Sequence, residues 1–233
     1  MINISIVFPV HNEEETLEVL LTDWYEKLNK NKIDFEFVIV EDGSKDRTKE
    51  IIKYLEKKFP IINLSQNERR GYSKAVMEGI KNSTKNYILC TDSDGQIKVE
   101  SLLENLINLP KENEFLIGYR NPRKDPWNRI IYSKAFKIFH DILFHSNLRD
   151  PSCPFVLGLR ETFVSLPEKQ LIETKEAFWW GFVAVSLNNN KKFFEKPIQH
   201  FKRDGGEAGY KLKNLFGIIV RNTQAMFKIK NYK

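Results

Sequence analysis

The stretch CTDSDGQ at 90–96 sets two carboxylates, Asp92 and Asp94, one residue apart, directly after the apolar run Tyr87-Ile88-Leu89. On a continuing strand, residues at spacing two share a side. Like charges that close repel, which raises the cost of ionising both, and a turn needs only one carboxylate. The pair therefore calls for a cation. Magnesium and manganese bind hard oxygen donors through one or two carboxylates and complete their shell with phosphate oxygens. Other polar groups close strand-like runs elsewhere: PVHNE at 9–13, EDGSKDRT at 41–48 and GYR at 118–120. Taken singly, these have plainer uses. Asn12 and Glu15 form a capping-box arrangement ahead of a helix, and Asp42 and Ser44 suit a turn. In an open parallel sheet, ligands bind beyond the carboxyl ends of the strands. Four strand ends that each deliver polar groups to one edge define a candidate site.

The elements that would position these groups follow from periodicity. Ile4–Val10, Phe35–Val40, Ile61–Leu64, Tyr87–Thr91 and Phe115–Tyr119 are apolar and strand-like. Helical spacing separates them: Leu17, Leu20, Leu21, Trp24 and Leu28; then Ile51, Ile52, Leu55 and Phe59. A third helix starts near Gly71, and a fourth carries Val99, Leu102, Leu103, Leu106 and Ile107. Repeated β-α units of this size predict an α/β fold, a mostly parallel sheet with helices on both faces. Beyond Tyr119 a Pro- and Arg-rich loop (121–128) precedes a long aromatic helix from Ile130 to about Leu148. Short strands are expected at Phe155–Leu159 and Lys192–Pro197, with a helix at 178–187 between them. The division expected is a first half at 1–120, a second half at 121–209 that completes the same domain, and a basic amphipathic helix at 210–233.

A chain of 233 residues with 41% hydrophobic and 29% charged residues is globular rather than disordered. No apolar run approaches the roughly 18 residues of a membrane-spanning helix, and MINISIVFPV reads as a first strand rather than a signal peptide. Cys90 and Cys153 lack metal-ligand spacing and read as reduced thiols of a cytosolic protein. The net charge of +6 is uneven. Lysines and arginines between 202 and 233 interleave with Leu212, Leu215, Phe216, Ile218, Met226 and Phe227. Such a helix suits an anionic membrane surface or nucleic acid; equally, it could dock its apolar stripe on the core.

Taken in order, PVHNE, EDGSKDRT, NERRGYSKAVMEGI (67–80), TDSDGQ, GYR, RDPSCPF and RDGGEAG resemble the family 2 glycosyltransferases of GT-A fold, with a Rossmann-like sheet. The likeness is to the branch that includes dolichyl-phosphate mannosyltransferase. It implies that Pro9, His11, Glu13, Asp42, Asp92, Ser93 and Arg120 bind the sugar nucleotide. Asp92 and Asp94, with Gln96 nearby, would hold Mg2+ or Mn2+. Arg129, Ser133 and Arg203 match positions that hold an acceptor phosphate, a role that the planar fork of arginine suits. Asp94, Arg129 and Arg203 become the candidate catalytic residues. Gly205-Gly206 would let the segment carrying Arg203 close over the donor.

The sequence departs from that pattern at WWGFV (179–183), where many members carry an acidic general base and this chain has Gly181 or Val183. Glu173 and Glu176 lie at least a turn upstream. A hydroxyl nucleophile needs a base, whereas a phosphate oxygen is already anionic. The expected reaction is transfer of a hexose from a GDP- or UDP-sugar to a polyprenyl phosphate, by direct inverting displacement. The protein would be peripheral on the cytoplasmic face of a membrane, or held there by a membrane partner, with no nucleic-acid role. The alternatives are transfer to a saccharide or protein hydroxyl and a non-catalytic nucleotide-sugar-binding protein. A nucleotidyltransferase ranks last, because no Gly-rich basic loop follows the first strand.

Overall fold

The computed structural model describes residues 2–125, 127–202 and 215–232. Among them, seven strands form one sheet: β1 (Asn3–Val10), β2 (Asp34–Glu41), β3 (Ile61–Asn63), β4 (Tyr87–Thr91), β5 (Glu114–Arg120), β6 (Phe155–Leu159) and β7 (Lys192–Ile198). Their order is β3-β2-β1-β4-β6-β5-β7. Only β6 runs antiparallel to its neighbours. The carboxyl ends of β1, β2, β4, β5 and β7 therefore share one edge. Because β6 enters in the opposite sense, pairing Thr91 with Phe155, it delivers residues 150–154 to that same edge. The strand order reverses between β1 and β4, where an open α/β sheet leaves its ligand crevice.

The described helices are α1 (Leu17–Lys30), α2 (Thr48–Leu55), α3 (Tyr72–Asn82), α4 (Glu100–Leu103), α5 (Trp127–Phe144), α6 (Arg160–Val164), α7 (Glu168–Ile172), α8 (Phe178–Asn188) and α9 (Leu215–Lys230). Adjacent strand residues point to opposite faces, and β1 shows which helix covers which. Phe8 meets Trp24 of α1 edge-to-face at 5.4 Å. Its neighbour Val7 lies against Gly79 of α3, where a β-carbon would come within 2.4 Å of the valine. Helices thus cover both faces of the sheet. Covered on both sides, β1 is buried from Ile4 to Val10 and is apolar but for Ser5, whose hydroxyl donates to Glu36 at 2.6 Å. Apolar on every side, α8 is likewise buried from Phe178 to Ser186.

Three expectations are corrected. Helix α1 begins at Leu17 with Thr16 as its N-cap and no side-chain cap, so Asn12 and Glu15 form no capping box. Asn12 instead has φ 55° and its side-chain carbonyl accepts from the Lys45 N–H at 2.9 Å, which fastens the β1 end to the β2–α2 loop. The stripe from Val99 to Ile107 splits into α4 and a 3-10 turn at Leu106–Asn108. Helix α2 stops at Leu55, leaving Phe59 beyond it to stack on Tyr25 at 4.4 Å. The boundary drawn at 209/210 lies outside the described residues.

Candidate active site

At the ends of β1 and β2, backbone groups are tied by side chains from the facing loop. The His11 Nδ1–H donates to the Asp42 carbonyl at 2.9 Å. The Asn12 N–H donates to Ser44 Oγ and the Glu13 N–H to Thr48 Oγ1, each at 2.9 Å. Glu13 is buried and accepts the Thr16 hydroxyl at 2.8 Å. The Asp42 carboxylate accepts the N–H groups of Arg70 at 2.6 Å and Gly71 at 2.9 Å, which fixes the loop entering α3. Its oxygens keep further lone pairs for a ligand N–H. That loop crosses Gly43 so closely that a β-carbon would lie 2.5 Å from the Arg69 nitrogen; with φ +70° as well, only glycine serves there.

At the β4 end, Ser93 Oγ donates to the Pro9 carbonyl at 2.9 Å, joining the strands on either side of the crevice. Asp92 Oδ1 accepts the Tyr72 hydroxyl at 2.5 Å, and the Trp179 indole N–H donates to that same phenolic oxygen at 2.8 Å. Asp94 Oδ1 accepts the Gln96 N–H at 3.1 Å, across Gly95 at φ 74°. The Gln96 side-chain amide donates to the Phe201 carbonyl at 3.1 Å, holding the chain that leaves β7. Two carboxylates within one turn at the crevice are hard oxygen donors that fit Mg2+ or Mn2+. Among the described residues no group of three or more His, Cys, Asp or Glu side chains forms a closed metal cage. Such a donor set leaves most of a coordination shell to water and ligand oxygens.

The β5 end is an ion-pair cluster. Arg120 is 9% exposed and forks onto Asp150 through Nε and Nη2 at 2.7 and 2.8 Å. It also reaches Ser152 at 2.8 Å and Asp125 at 3.5 Å. Burial opposes ionisation of Asp150, but the hydrogen bonds and charge of Arg120 prevail and hold it down at about 2. Arg123 donates to Asp125 at 2.5 Å and to Ser133 Oγ at 3.1 Å. Ser133 of α5 thereby joins a small open pocket with Arg123, Lys134, Lys137 and Arg149, beside Asp150 and Trp180. Burial, with Arg120 nearby, lowers His200 to about 4, so the imidazole is neutral and accepts the Lys124 N–H. Cys90 and Cys153 are buried and unpaired, and burial pushes both thiols up, so neither is a nucleophile.

The sites expected from sequence thus divide. Pro9, His11, Glu13, Asp42, Asp92, Ser93, Asp94 and Gln96 stand around the β1–β4 crevice, while Arg120 and Ser133 belong to the neighbouring ionic cluster. Arg129 lies in α5 with its side chain outside the described residues, as does that of Glu176, and Arg203 is outside them altogether. Gly181 faces Thr174, whose methyl would lie 2.0 Å from an added β-carbon, and Val183 is fully buried. Glu173 is engaged with Tyr232 and Lys228 near the end of the chain, and these bonds hold its carboxyl below the usual range. Tyr72, Trp179, Arg123, Asp125 and Asp150 were not singled out from sequence. For Asp150 the signal was present in RDPSCPF, but only the reversed direction of β6 shows that it reaches Arg120.

Residues 5–166 match the model of the family described as Glycosyl transferase family 2. The chain is 31% identical over 202 residues to the dolichyl-phosphate beta-glucosyltransferase of Dictyostelium discoideum, covering 78% of this chain and 60% of that protein. It is 24% identical over 220 residues to the undecaprenyl-phosphate 4-deoxy-4-formamido-L-arabinose transferase of Edwardsiella ictaluri, covering 93% and 65%. The chain therefore spans about three fifths of the length of these curated relatives. Among solved structures it resembles glucosyl-3-phosphoglycerate synthase from Mycobacterium tuberculosis in complex with Mn2+, uridine diphosphate and phosphoglyceric acid. The TM-score is 0.73 at 15% identity, covering 99% of this chain and 79% of that one. The fold is GT-A.

Proposed function

The chain belongs to glycosyl transferase family 2, and on that premise we propose that it moves a hexose from a UDP- or GDP-sugar to a polyprenyl phosphate. The observation that carries the acceptor is the basic pocket of Arg123, Ser133, Lys134, Lys137 and Arg149, set beside a helix with no room for a carboxylate at Gly181. Cationic forks and a hydroxyl suit a phosphate monoester. An anionic phosphate oxygen attacks the anomeric carbon as the bond from that carbon to the nucleoside diphosphate oxygen breaks, and the configuration inverts. No proton has to be removed from the nucleophile, so a base is unnecessary.

His11, Glu13 and Asp42 line the nucleotide side and Ser93 locks it to β1. Asp92 and Asp94 would hold Mg2+ or Mn2+, which when bound neutralises charge on the leaving diphosphate; Gln96 and Phe201 close that edge. Arg120 sets the position of Asp150 and Asp125 between the donor and acceptor sides. The resemblance to the family assigns Arg129 and Arg203 to the same acceptor-phosphate role. The protein's contribution is mainly positioning and electrostatics.

A lipid acceptor requires a membrane face, and α5 supplies one. Trp127, Ile131, Ile138 and Ile142 are between 58% and 75% exposed. At about 100° per residue they fall within an arc of about 60°. Phe227 of α9 is exposed too, and its ring packs on Phe139 of α5. Apolar stripe and lysines together suit insertion at an anionic interface. No described helix is long and apolar enough to cross a membrane; on the strength of the α5 stripe we place the chain peripherally, on the cytoplasmic face. A thermal-shift screen of UDP- and GDP-sugars with and without Mn2+ tests the donor side, since a ligand of the native state raises the melting temperature. A metal-dependent rise is expected with one nucleotide class; no rise with any would contradict the reading.

A further inference from the structure

We propose that Tyr72 is a positioning residue for Asp92, held in turn by Trp179. This role rests on the reading of Asp92 as a metal-binding carboxylate. An indole N–H can only donate, so the 2.8 Å contact makes the Tyr72 oxygen its acceptor. The single phenolic proton is then committed to Asp92 Oδ1 at 2.5 Å, the length of a charge-assisted O–H···O⁻ bond. The chain Trp179→Tyr72→Asp92 therefore has one direction. It fixes the orientation of the Asp92 carboxylate, as outer-shell donors orient metal ligands.

The aromatic rings fix the relay in space. Phe178 meets Tyr72 edge-to-face at 5.9 Å and Trp179 does so at 6.5 Å. Ser73 Oγ donates to the Lys175 carbonyl at 2.7 Å, anchoring the approach to α8 on the first turn of α3. Elements distant in sequence, α3, β4 and α8, thus converge on one oxygen of Asp92.

The test is a Mn2+ titration of the full chain followed by electron paramagnetic resonance, with UDP and separately with GDP. Tyr72→Phe keeps the ring and removes the hydroxyl, and should weaken Mn2+ binding about 10- to 100-fold with the metal-free far-UV spectrum unchanged. Trp179→Phe should weaken it less, and the double variant no more than Tyr72→Phe alone, because the tryptophan acts through the tyrosine. If the wild type binds Mn2+ and Tyr72→Phe binds it within twofold, the positioning role is overturned while the carboxylate assignment stands. If the wild type binds no Mn2+ with either nucleotide, the metal reading fails and this role with it.

Discussion

The metal role proposed for Asp92 and Asp94 predicts that a very small change of side chain abolishes function. Asp94→Asn keeps the shape and the capacity to accept the Gln96 N–H, but removes the charge that a divalent ion requires. Metal-dependent nucleotide binding should fall by at least about tenfold and transfer should cease; calorimetry with Mn2+ and nucleotide measures the first, and full activity would contradict the assignment. On the acceptor side Arg149 offers a clean substitution, because it is exposed and its guanidinium sits on the Tyr119 ring at 4.7 Å rather than in the buried cluster. Arg149→Ala should raise the acceptor KM about tenfold, the effect of losing one charged hydrogen bond, with donor affinity unchanged. A parallel loss of donor affinity would place Arg149 elsewhere in the reaction. Gly181 is a different case: a carboxylate installed there would displace Thr174, so overpacking costing roughly 1–3 kcal/mol would accompany any change in acceptor.

Among the elements, the proposed membrane face falls on α5 as well as α9, where sequence assigned it mainly to the basic C-terminal helix. Met226 and Ile229 of α9 are buried in the core, and Asn188 of α8 donates to the Ile229 carbonyl at 3.2 Å. Helix α9 is therefore a structural helix as well as a basic surface, and its removal would open the core. The apolar face turned to solvent lies chiefly on α5. Trp127→Ser combined with Ile131→Ser should lower partition onto anionic liposomes at least about tenfold, since each buried side chain contributes about 1.5–3 kcal/mol. Residual binding should fall further with salt. Unchanged flotation of that variant would remove α5 from the membrane face. Periodicity made the β-α alternation legible because parallel strands are apolar runs and the helices are striped. It did not reveal that β6 runs backwards, because direction is set by tertiary pairing, such as Thr91 with Phe155. Nor did it show the ends of α2 and α4, where loop contacts override spacing. The strand-end carboxylates were legible because turn chemistry alone does not call for two of them. Tyr72 and Trp179 were not, since an aromatic residue on a helix gives no sign that its polar tip meets a carboxylate from another strand.

For the molecule as a whole, buried ionisable groups make stability depend on pH in two windows. His140 is fully buried, donates to the Trp180 carbonyl through Nε2, meets Ser146 through Nδ1, and is lowered to about 4 by burial; His200 is lowered to about 4 likewise. Between an unfolded value of about 6.5 and 4, the unfolded chain binds more protons, so stability falls as pH falls through that range. Asp150, at about 2 in the folded state, adds stability above its unfolded value of about 3.9 that is lost on acidification toward 2. Urea midpoints at pH 7.5 and 5 should therefore differ, and His140→Gln should reduce the difference; an equal difference in the variant would exclude His140 as a source. The reaction itself is decided by acceptor choice. Purified protein, Mn2+ and a labelled UDP- or GDP-hexose are offered a mixture of polyprenyl phosphate, the corresponding polyprenol and a free oligosaccharide. Label should accumulate in the glycosyl phosphoryl lipid and in neither hydroxyl compound. Label confined to the oligosaccharide or the polyprenol would contradict a phosphate acceptor.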